Sequence, residues 1–365
     1  MKRETVFDNS VVKYKILAIL ILLFISSLPA SAKDWKSVLD LRGKWKFQLG
    51  DETEWAGKSF NDSEWEEIFV PSSWEDDGFP GYDGYAWYRK HFKLPSGAEK
   101  KTLYLHLGCI DDVSEVYFNG ILVGISGCFP PDFMTAYNTE VILRIPPKSI
   151  NYEGENVIAV RVYDTQLAGG IVQGKIGIYE PIDFAIPEIA LDGMWKFKRG
   201  DSEQWKNPEF DDHTWKEIFV PAVWETQDYS NYDGFAWYRL HFDMPKEYAQ
   251  DELILLLGMI DDLDETYING EKIGHTGKIL RNPWNSNIDG KYQTIRAYTI
   301  PSGVLKPGTE NIIAVRVFDV EGYGGIYQGP IGIITEEKYR KWKKNRNWEE
   351  KVRKGPWEIF DLIFD

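Results

Sequence analysis

The chain has 365 residues and a formal net charge of −15 at pH 7. A surface with this acidic balance repels nucleic acid phosphates and anionic lipid, so the composition argues against a nucleic-acid-binding protein and suits a neutral ligand. Hydrophobic residues make up 43% of the chain and charged residues 27%, which is typical of a globular protein of about two domains.

The first 32 residues have the pattern of a signal peptide. Lys13 and Lys15 precede an unbroken apolar run over residues 16–25, and residues 30–32 give the small-x-small sequence of a cleavage site. The run is shorter than the roughly 20 residues that a spanning helix needs. We predict cleavage after Ala32, a secreted or periplasmic protein and no stable membrane span after cleavage. The alternative is an uncleaved anchor.

The remainder of the chain is dominated by a repeat. Residues 82–95 read YDGYAWYRKHFKLP, and residues 232–245 read YDGFAWYRLHFDMP. The correspondence extends over residues 39–179 and 190–334, a length that indicates tandem domains rather than a solenoid. We place the domains at residues 33–186 and 187–335, joined by a short Pro-containing linker that keeps them in contact.

The local patterns within each repeat predict β-strands. LYLHL alternates with a period of two, so Tyr104 and His106 share one face. NVIAVRV, over residues 156–162, is rich in β-branched residues and predicts a buried strand. Asn119-Gly120 lies between two apolar runs, which is a strong hairpin signal. With Gly and Pro at short intervals, the sequence favours an antiparallel sandwich in each repeat.

The C-terminal tail, residues 336–365, departs from the repeats. Residues 336–354 are rich in Lys and Arg and predict a helix that Gly355-Pro356 ends. One interpretation is a docking tail for a partner or for the envelope surface. The other is a helix packed on its own domain.

Two cysteines, Cys109 and Cys128, lie on either side of the predicted hairpin turn. An exported chain permits a disulfide between them. The alternative is a buried free Cys109 and an unrelated Cys128, and the sequence leaves both open.

If every connection reverses the chain direction, four loops of each repeat meet at one end of its sandwich, which we call the rim. A β-sandwich commonly carries its binding site on such loops. The rim loops are residues 74–85, 111–112, 125–138 and 164–170 in the first repeat, and 224–235, 261–262, 275–298 and 319–325 in the second.

Several motifs occur in the same order in both repeats. In the first they are Leu-x-Gly-x-Trp-x-Phe, VPSSW, AWYRKHFKLP, LHLGCIDDV, FNG and ENVIAVRVYD. This pattern resembles the sugar-binding jelly-roll domain of family 2 glycoside hydrolases. Its LGxIDD and IAVRVxD parts are also similar to the galactose-binding-like domain of bacterial sialate O-acetylesterases. The resemblance implies an all-β fold of two tandem antiparallel jelly-roll β-sandwiches, to which the tail adds a basic helix. No catalytic barrel or esterase domain accompanies the repeats.

The rim chemistry suits a sugar, because aromatic rings stack on its C–H faces and carboxylates accept hydrogen bonds from its hydroxyls. The candidate ligand-binding residues are Trp74, Tyr82, Asp83, Tyr85, Asp111, Asp112 and Asp164 in the first repeat, and Trp224, Tyr232, Asp233, Asp262 and Asp319 in the second.

Each candidate has a structural alternative. Trp74 and Trp224 could close the core, and the Asp-Gly pairs could serve only their turns. Asp111 and Asp112 could cap backbone amides or hold a structural Ca²⁺, although no spaced calcium motif is present and no cofactor is expected.

The strand residues next to the rim are expected to be structural. Trp87 and Tyr88, with Trp237 and Tyr238 in the second repeat, are expected in the core. Arg89 and Arg239 are expected in buried ion pairs that involve a rim Asp. His91 and His241 are expected as satisfied structural residues.

No catalytic motif is present: the sequence has no G-x-S-x-G, no H-E-x-x-H and no Cys/His metal spacing. Glycoside hydrolysis needs two carboxyl groups facing each other across about 5–9.5 Å. Adjacent Asp111 and Asp112 would point to different sides of an extended chain. A cross-loop pair of Asp112 and Asp164 is the alternative. We therefore expect no catalytic residue and no metal ligand.

The sequence thus indicates an exported, non-catalytic carbohydrate-binding or accessory protein of glycan metabolism, whose partner is a glycan or a glycan-processing enzyme. One alternative is a carbohydrate-active hydrolase, of glycosidase or acetylesterase type, that uses rim carboxylates. The other is a structural envelope protein that docks a partner.

Overall fold

A computed structural model describes residues 35–182, 185–249 and 251–353, with side chains placed up to residue 344. The predicted signal peptide and the end of the tail, residues 354–365, lie outside these residues. Within the described ranges, no helix has both the length and the apolar character needed to cross a membrane.

The first repeat folds into ten strands that form two antiparallel sheets facing each other. A six-stranded sheet has the order β3-β2-β4-β9-β6-β7, and a four-stranded sheet has the order β1-β10-β5-β8. The strands are β1 Trp35–Asp40, β2 Gly43–Leu49, β3 Glu66–Val70, β4 Gly84–Lys93, β5 Tyr104–Asp111, β6 Val113–Phe118, β7 Ile121–Ser126, β8 Glu140–Arg144, β9 Glu155–Asp164 and β10 Gly170–Pro181.

The second repeat folds in the same way. Its sheets have the orders β13-β12-β14-β19-β16-β17 and β11-β20-β15-β18. The strands are β11 Ile189–Ala190, β12 Gly193–Arg199, β13 Lys216–Val220, β14 Gly234–Asp243, β15 Leu253–Asp261, β16 Leu263–Ile268, β17 Glu271–Thr276, β18 Ile295–Thr299, β19 Glu310–Asp319 and β20 Gly325–Thr335.

One α-helix, α1 (Glu336–Arg353), follows the second sandwich in the described part of the chain. Short 3₁₀ turns occupy Thr53–Ala56, Ala98–Lys100, Pro147–Ser149, Glu203–Lys206, Trp224–Gln227, Lys246–Tyr248 and Pro283–Asn285. The predicted all-β fold of two tandem sandwiches with a C-terminal helix is confirmed.

The core of each sandwich lies between its two sheets. Trp45 and Phe47 alternate with Lys44 and Lys46 along β2, and both rings are buried in the core cluster that also contains Tyr88 of β4 and Leu105 of the facing sheet. The matching cluster of the second repeat is built on Trp195, Phe197 and Tyr238. The predicted β-branched strands, β9 and β19, are buried over most of their length because they run in the middle of the larger sheet.

The strand register shows which loops share an end of the sandwich. Gly84 pairs with Asp164, and Asp111 pairs with Gly170, so these loops meet at one end. The hairpin turn lies at the other end of β6, where both Asn119 and Gly120 have positive φ, as a tight two-residue turn requires. The predicted rim, opposite the Asn-Gly hairpin, is therefore confirmed.

The outer face of the larger sheet carries a second set of buried side chains. Trp87 is 0% exposed beneath the loop that holds Trp65, and Tyr88 is 0% exposed on the inner face, as predicted. Arg89 forms the predicted buried ion pair, with 2.7 Å between its Nε and Oδ2 of Asp62. This aspartate belongs to the loop before β3, so the expectation of a rim Asp as partner is wrong.

Each nitrogen of the buried Arg89 guanidinium donates to an oxygen atom. Besides Asp62, the guanidinium donates to the carbonyls of Trp55, Gly57 and Phe60. His91 bonds the same Asp62 and is structural, as predicted. Burial alone would raise the pKa of Asp62, but the hydrogen bonds from His91 and Arg89 lower it below its usual value. The same arrangement recurs around Arg239, Asp212 and His241.

Cys109 and Cys128 are both free and buried, so the disulfide does not form. The thiol of Cys128 lies 3.4 Å from the backbone oxygen of Glu225 in the second repeat, where it contributes to the contact between the sandwiches. Of the two interpretations left open by the sequence, the structure supports free thiols.

Helix α1 packs on its own domain. Tyr339 and Trp342 lie against Ile254, Leu256 and Ile334 on the outer face of the four-stranded sheet. The interpretation of a helix packed on the second repeat is confirmed for these residues.

Replacing Asp62 by Ala should destabilise the first sandwich by about 3–5 kcal/mol, because it leaves the wholly buried Arg89 guanidinium without its counter-charge. Denaturant unfolding followed by tryptophan fluorescence measures the loss. Asp76→Ala, at an exposed position of a rim loop, is the control and should change the free energy of unfolding by about 0.5 kcal/mol or less. Equal effects of the two changes would contradict the assignment.

His106 should make the first sandwich sensitive to acid. It is 3% exposed between Trp35 and Tyr179, and burial, with Lys175 adding, lowers its pKa to about 4. The unfolded chain takes up the proton near pH 6.5, so stability falls as the pH falls from about 6.5 towards 4.

The matched variant is His106→Leu, since the second repeat has Leu256 at this position. The variant should gain stability relative to wild type by about 1–3 kcal/mol between pH 7 and pH 4. Thermal melts across that range measure the difference. A difference that does not change with pH would show that His106 does not titrate in this window.

Candidate functional site

Three aspartates converge at the rim of the first sandwich. Asp111 ends β5 in the smaller sheet, Asp112 precedes β6 in the larger sheet, and Asp164 ends β9. Each offers a carboxylate oxygen, and these oxygens lie within 4.8 Å of one another. The expectation that Asp111 and Asp112 point to different sides is therefore wrong, because the chain crosses from one sheet to the other between them.

The second sandwich repeats this arrangement with Asp261, Asp262 and Asp319, whose carboxylate oxygens also lie within 4.8 Å of one another. The peptide bond between the two adjacent aspartates is cis in both repeats. We call these two groups of three residues the acid triads. Asp261 belongs to the second triad although the sequence did not single it out.

The members of each triad differ in exposure. Asp111 and Asp261 are half-buried, whereas Asp112 and Asp262 are 8% and 3% exposed. Asp164 and Asp319 are fully buried. Each triad therefore reaches solvent mainly through the aspartate that ends the strand of the smaller sheet.

The hydrogen bonds to the triads are unevenly distributed. Oδ1 of Asp112 accepts a bond from Thr135, and Oδ2 accepts bonds from the backbone and hydroxyl of Thr165. Oδ2 of Asp164 has no partner, and neither carboxylate oxygen of Asp319 has one. A buried carboxylate without a donor is costly, so these atoms are where a ligand would supply the most stabilisation.

These environments separate the pKa values within the first triad. Burial raises the pKa of Asp164 to about 7, and the neighbouring charges of Asp112 and Asp111 add to this. Burial and the adjacent Asp112 raise the pKa of Asp111 to about 7. Burial opposes ionisation of Asp112 as well, but the bonds from Thr135 and Thr165 lower its pKa overall. In the second triad burial raises the pKa of Asp319 to about 8.

Trp74 and Trp224 are 0% exposed, so neither ring has a face open to a ligand. The ring of Trp74 covers the backbone of Gly169 so closely that a Cβ there would lie 2.2 Å from Cζ2. We therefore remove both tryptophans from the candidate site, in favour of the alternative that they close the core.

Tyr82 and Tyr232 are half-buried and pack against the cores. The Tyr82 hydroxyl donates to the backbone oxygen of Tyr85 at 2.7 Å, and its ring meets Trp74 edge-on. Both tyrosines thus hold the rim loop against the core. Asp83 and Asp233, in contrast, are exposed at the rim.

Tyr85 lies on the outer face of the larger sheet rather than beside the triad. Its ring is stacked on Phe129 at 5.8 Å and touches Tyr163, and the guanidinium of Arg161 lies 4.2 Å from the Phe129 ring centroid. The rim candidates therefore divide between the triad and this aromatic group.

The sequence reasoning missed the exposed aromatic rings of the two long rim loops. Phe133 is 37% exposed and rests on Tyr163 of β9, and Tyr137 is 51% exposed. In the second repeat Trp284 is 52% exposed and rests edge-on upon Phe318 at 5.2 Å. The sequence could have indicated these residues, because they are large aromatic residues in loops already assigned to the rim.

The two sandwiches are in contact with each other. The loop of Cys128 touches Glu225 of the second rim, and Arg144 pairs with Asp192 across the boundary at 3.3 Å. Nearby, residues of both repeats, including Tyr104 and Phe219, line a cavity of about 270 Å³.

Comparison with known proteins identifies a family and a set of partial relatives. The model of the family described as "Beta-galactosidase second all-beta domain" matches the chain twice, over residues 50–168 and 200–322. These matches cover more than half of the chain. The family 2 part of the predicted resemblance is thereby confirmed at the level of an all-β domain, while the esterase resemblance stays a prediction.

Curated relatives match the chain over part of their length. A beta-glucuronidase from Formosa agariphila is 30% identical over 134 residues, 32% of this chain and 12% of that protein. The beta-galactosidase BoGH2A from Bacteroides ovatus is 25% identical, over 39% of this chain and 17% of the relative. A beta-glucuronidase from Paenibacillus borealis is 28% identical, over 44% and 26%. The chain thus overlaps about a quarter or less of each relative.

Solved structures give likenesses of the same kind. The Bacteroides uniformis beta-glucuronidase 2 shares 17% sequence identity at a TM-score of 0.35, covering 80% of this chain and 28% of that chain. The Lactobacillus rhamnosus beta-glucuronidase shares 13% at a TM-score of 0.32, covering 84% and 45%. From the two matches to the family model, one in each sandwich, the chain belongs to the family of the beta-galactosidase second all-beta domain.

Proposed function

We propose that this chain is an exported, non-catalytic accessory protein of glycan metabolism that binds carbohydrate at the rims of its two sandwiches. The observation that carries the proposal is the match of both repeats to an all-β domain of beta-galactosidases, together with relatives named as beta-glucuronidases and a beta-galactosidase. The matched segments are a small part of those enzymes, which fits an accessory role.

The exposure of the triads supports a non-catalytic role. In each triad only the first aspartate is appreciably open to solvent, and the last is fully buried. Cleavage of a glycosidic bond requires two carboxyl groups that flank the bond and touch it. A buried Asp164 cannot reach a bound sugar, so the triad lacks the second working group.

The exposed rings of the rim loops support carbohydrate binding. Trp284, and Phe133 with Tyr137 in the first repeat, are exposed in rim loops that also carry the exposed Asp132 and Asp289. Such a combination of flat rings with a few polar groups suits the C–H faces and hydroxyls of a sugar. Because the rim loops expose Asp76, Asp83, Asp228 and Asp233, the rim should favour neutral sugars over uronic acids.

One observation favours the hydrolase alternative. The pKa of Asp112 is lowered while that of Asp164 is raised to about 7, and a pair split in this way can divide the roles of base and acid. The burial of both groups argues against it, and an activity assay separates the two functions.

Trp284→Ala should weaken binding of a neutral glycan by about 10- to 100-fold, the effect of losing one stacking ring. The ligand is first found on an array that contains galactose- and glucuronic-acid-containing glycans, and affinity is then measured by titration calorimetry. The melting temperature should change little, because half of the ring is already in solvent.

The matched control is Phe69→Ala, which removes an aromatic ring of similar exposure, 54%, from edge strand β3 of the other sandwich. It should leave affinity unchanged. No binding to any glycan on the array would instead support the structural envelope protein, and equal effects of the two variants would remove Trp284 from the site.

The purified protein should not hydrolyse aryl glucuronides, aryl galactosides or acetylated sialic acid. The reason is that no two exposed carboxyl groups face each other within a triad. Release of the chromophore or of acetate over hours is the measurement. Turnover that Asp112→Asn or Asp164→Asn abolishes would establish the hydrolase and refute the accessory role.

A further inference from the structure

We propose that each acid triad binds one hard divalent cation, Ca²⁺, at the rim of its sandwich. The inference stands on the triads themselves and does not depend on carbohydrate binding. It assigns a role to six aspartates, two of which, Asp164 and Asp319, are too buried to contact a large ligand.

The spacing of the oxygens suits the size of the ion. Ca²⁺ takes carboxylate oxygens at about 2.3–2.6 Å, so two oxygens on opposite sides of one ion lie about 5 Å apart. The three carboxylates of each triad have oxygens within 4.8 Å of one another, so one ion can contact all three. Mg²⁺, with bonds of about 2.0–2.1 Å, requires a tighter cluster.

The bonding of the buried aspartates points to a missing partner. Neither oxygen of Asp319 has a hydrogen-bond partner by distance and angle although the residue is 0% exposed, and the backbone amide of Glu321 lowers its pKa less than burial and the neighbouring acids raise it. Asp164 has one such oxygen in the first triad. A carboxylate that is desolvated without a donor or a cation is strongly disfavoured, and a bound ion removes that penalty.

The described side chains supply little counter-charge to the triads. Within the part of the chain that the structure describes, none of the six carboxylates forms an ion pair with Lys, Arg or His. Arg296 opposes the rise in the pKa of Asp261, but it is fully buried, is already bound to Asp264 and donates to the backbone oxygen of Asp262. A cation from solution is therefore the available source of positive charge.

The two repeats differ around the triads yet keep all three acids. Thr165, which donates to Asp112, corresponds to Val320, and the position of Ser114 is occupied by Asp264. Turn geometry or amide capping would tolerate Asn at these positions. Three converging carboxylates in each repeat instead fit a bound cation. The half-buried Asp111 and Asp261 mark the side from which the cation would enter.

The test is calcium titration of the purified protein after dialysis against a chelator. Calorimetry should show two Ca²⁺ ions per chain with dissociation constants of about 1 mM or tighter, the range of extracellular calcium sites. The melting temperature should rise with Ca²⁺ and rise less with Mg²⁺ at equal ionic strength. Terbium luminescence excited through tryptophan gives a second readout that needs no ligand other than the ion.

Paired substitutions assign each ion to a triad. Asp261→Asn with Asp319→Asn should reduce the stoichiometry from two to one, and Asp111→Asn with Asp164→Asn should do the same for the other site. The controls are Asp76→Asn and Asp228→Asn, which remove exposed rim carboxylates outside the triads and should retain both ions. Circular dichroism checks that each variant is folded.

Two results would overturn the proposal. The first is an absence of calcium binding up to about 10 mM, tenfold above the weakest extracellular sites. The second is paired Asn variants that melt higher than wild type while calcium has no effect on any of the proteins. That result would show that each triad is neutralised by shared protons.

Discussion

The rim of each sandwich depends on the close contact between one tryptophan and one glycine. Trp74 packs against the backbone of Gly169, and Trp224 against Gly324, at distances that leave no room for a Cβ atom. The backbone nitrogen of Trp74 also donates to the oxygen of Gly169. This contact closes the open end between the two sheets, and it keeps the segment after β9 in place above the core. Asp164 is buried because that segment is held there.

The packing of tryptophan on glycine also buries carboxylates of the rim that have no paired cationic side chain. In the described residues the fully buried arginines have opposite partners, as in the pairs of Arg89 with Asp62 and of Arg296 with Asp264. At the rim three acids are brought together by the crossing between sheets and by the end of β9. The raised pKa values of Asp111, Asp164 and Asp319 express this conflict. Protein interiors that hold unbalanced charge in this way are often sites of binding.

The architecture could be predicted because it follows from patterns that are local in the sequence. Alternation, the Asn-Gly turn and the repeat itself defined the strands, the reversal of direction and hence the rim. The site was predicted only in part, because its details depend on contacts between distant segments. Alternation places Asp111 and Asp112 on opposite sides only while a strand continues, and here the chain changes sheets. In the same way, the burial of Trp74 depends on Gly169, almost a hundred residues later.

Because Cys128 contacts Glu225, alkylation of its thiol can report on the contact between the two sandwiches. Cys128 is 6% exposed and its thiol lies against the backbone of the other repeat, so a maleimide or iodoacetamide reagent should react with it faster when the two units move apart. Cys109 is similarly buried but lies in β5 within the first sandwich, where labelling reports local opening of that sheet. The ratio of the two alkylation rates therefore compares the frequency of domain separation with the frequency of local opening in the first sandwich.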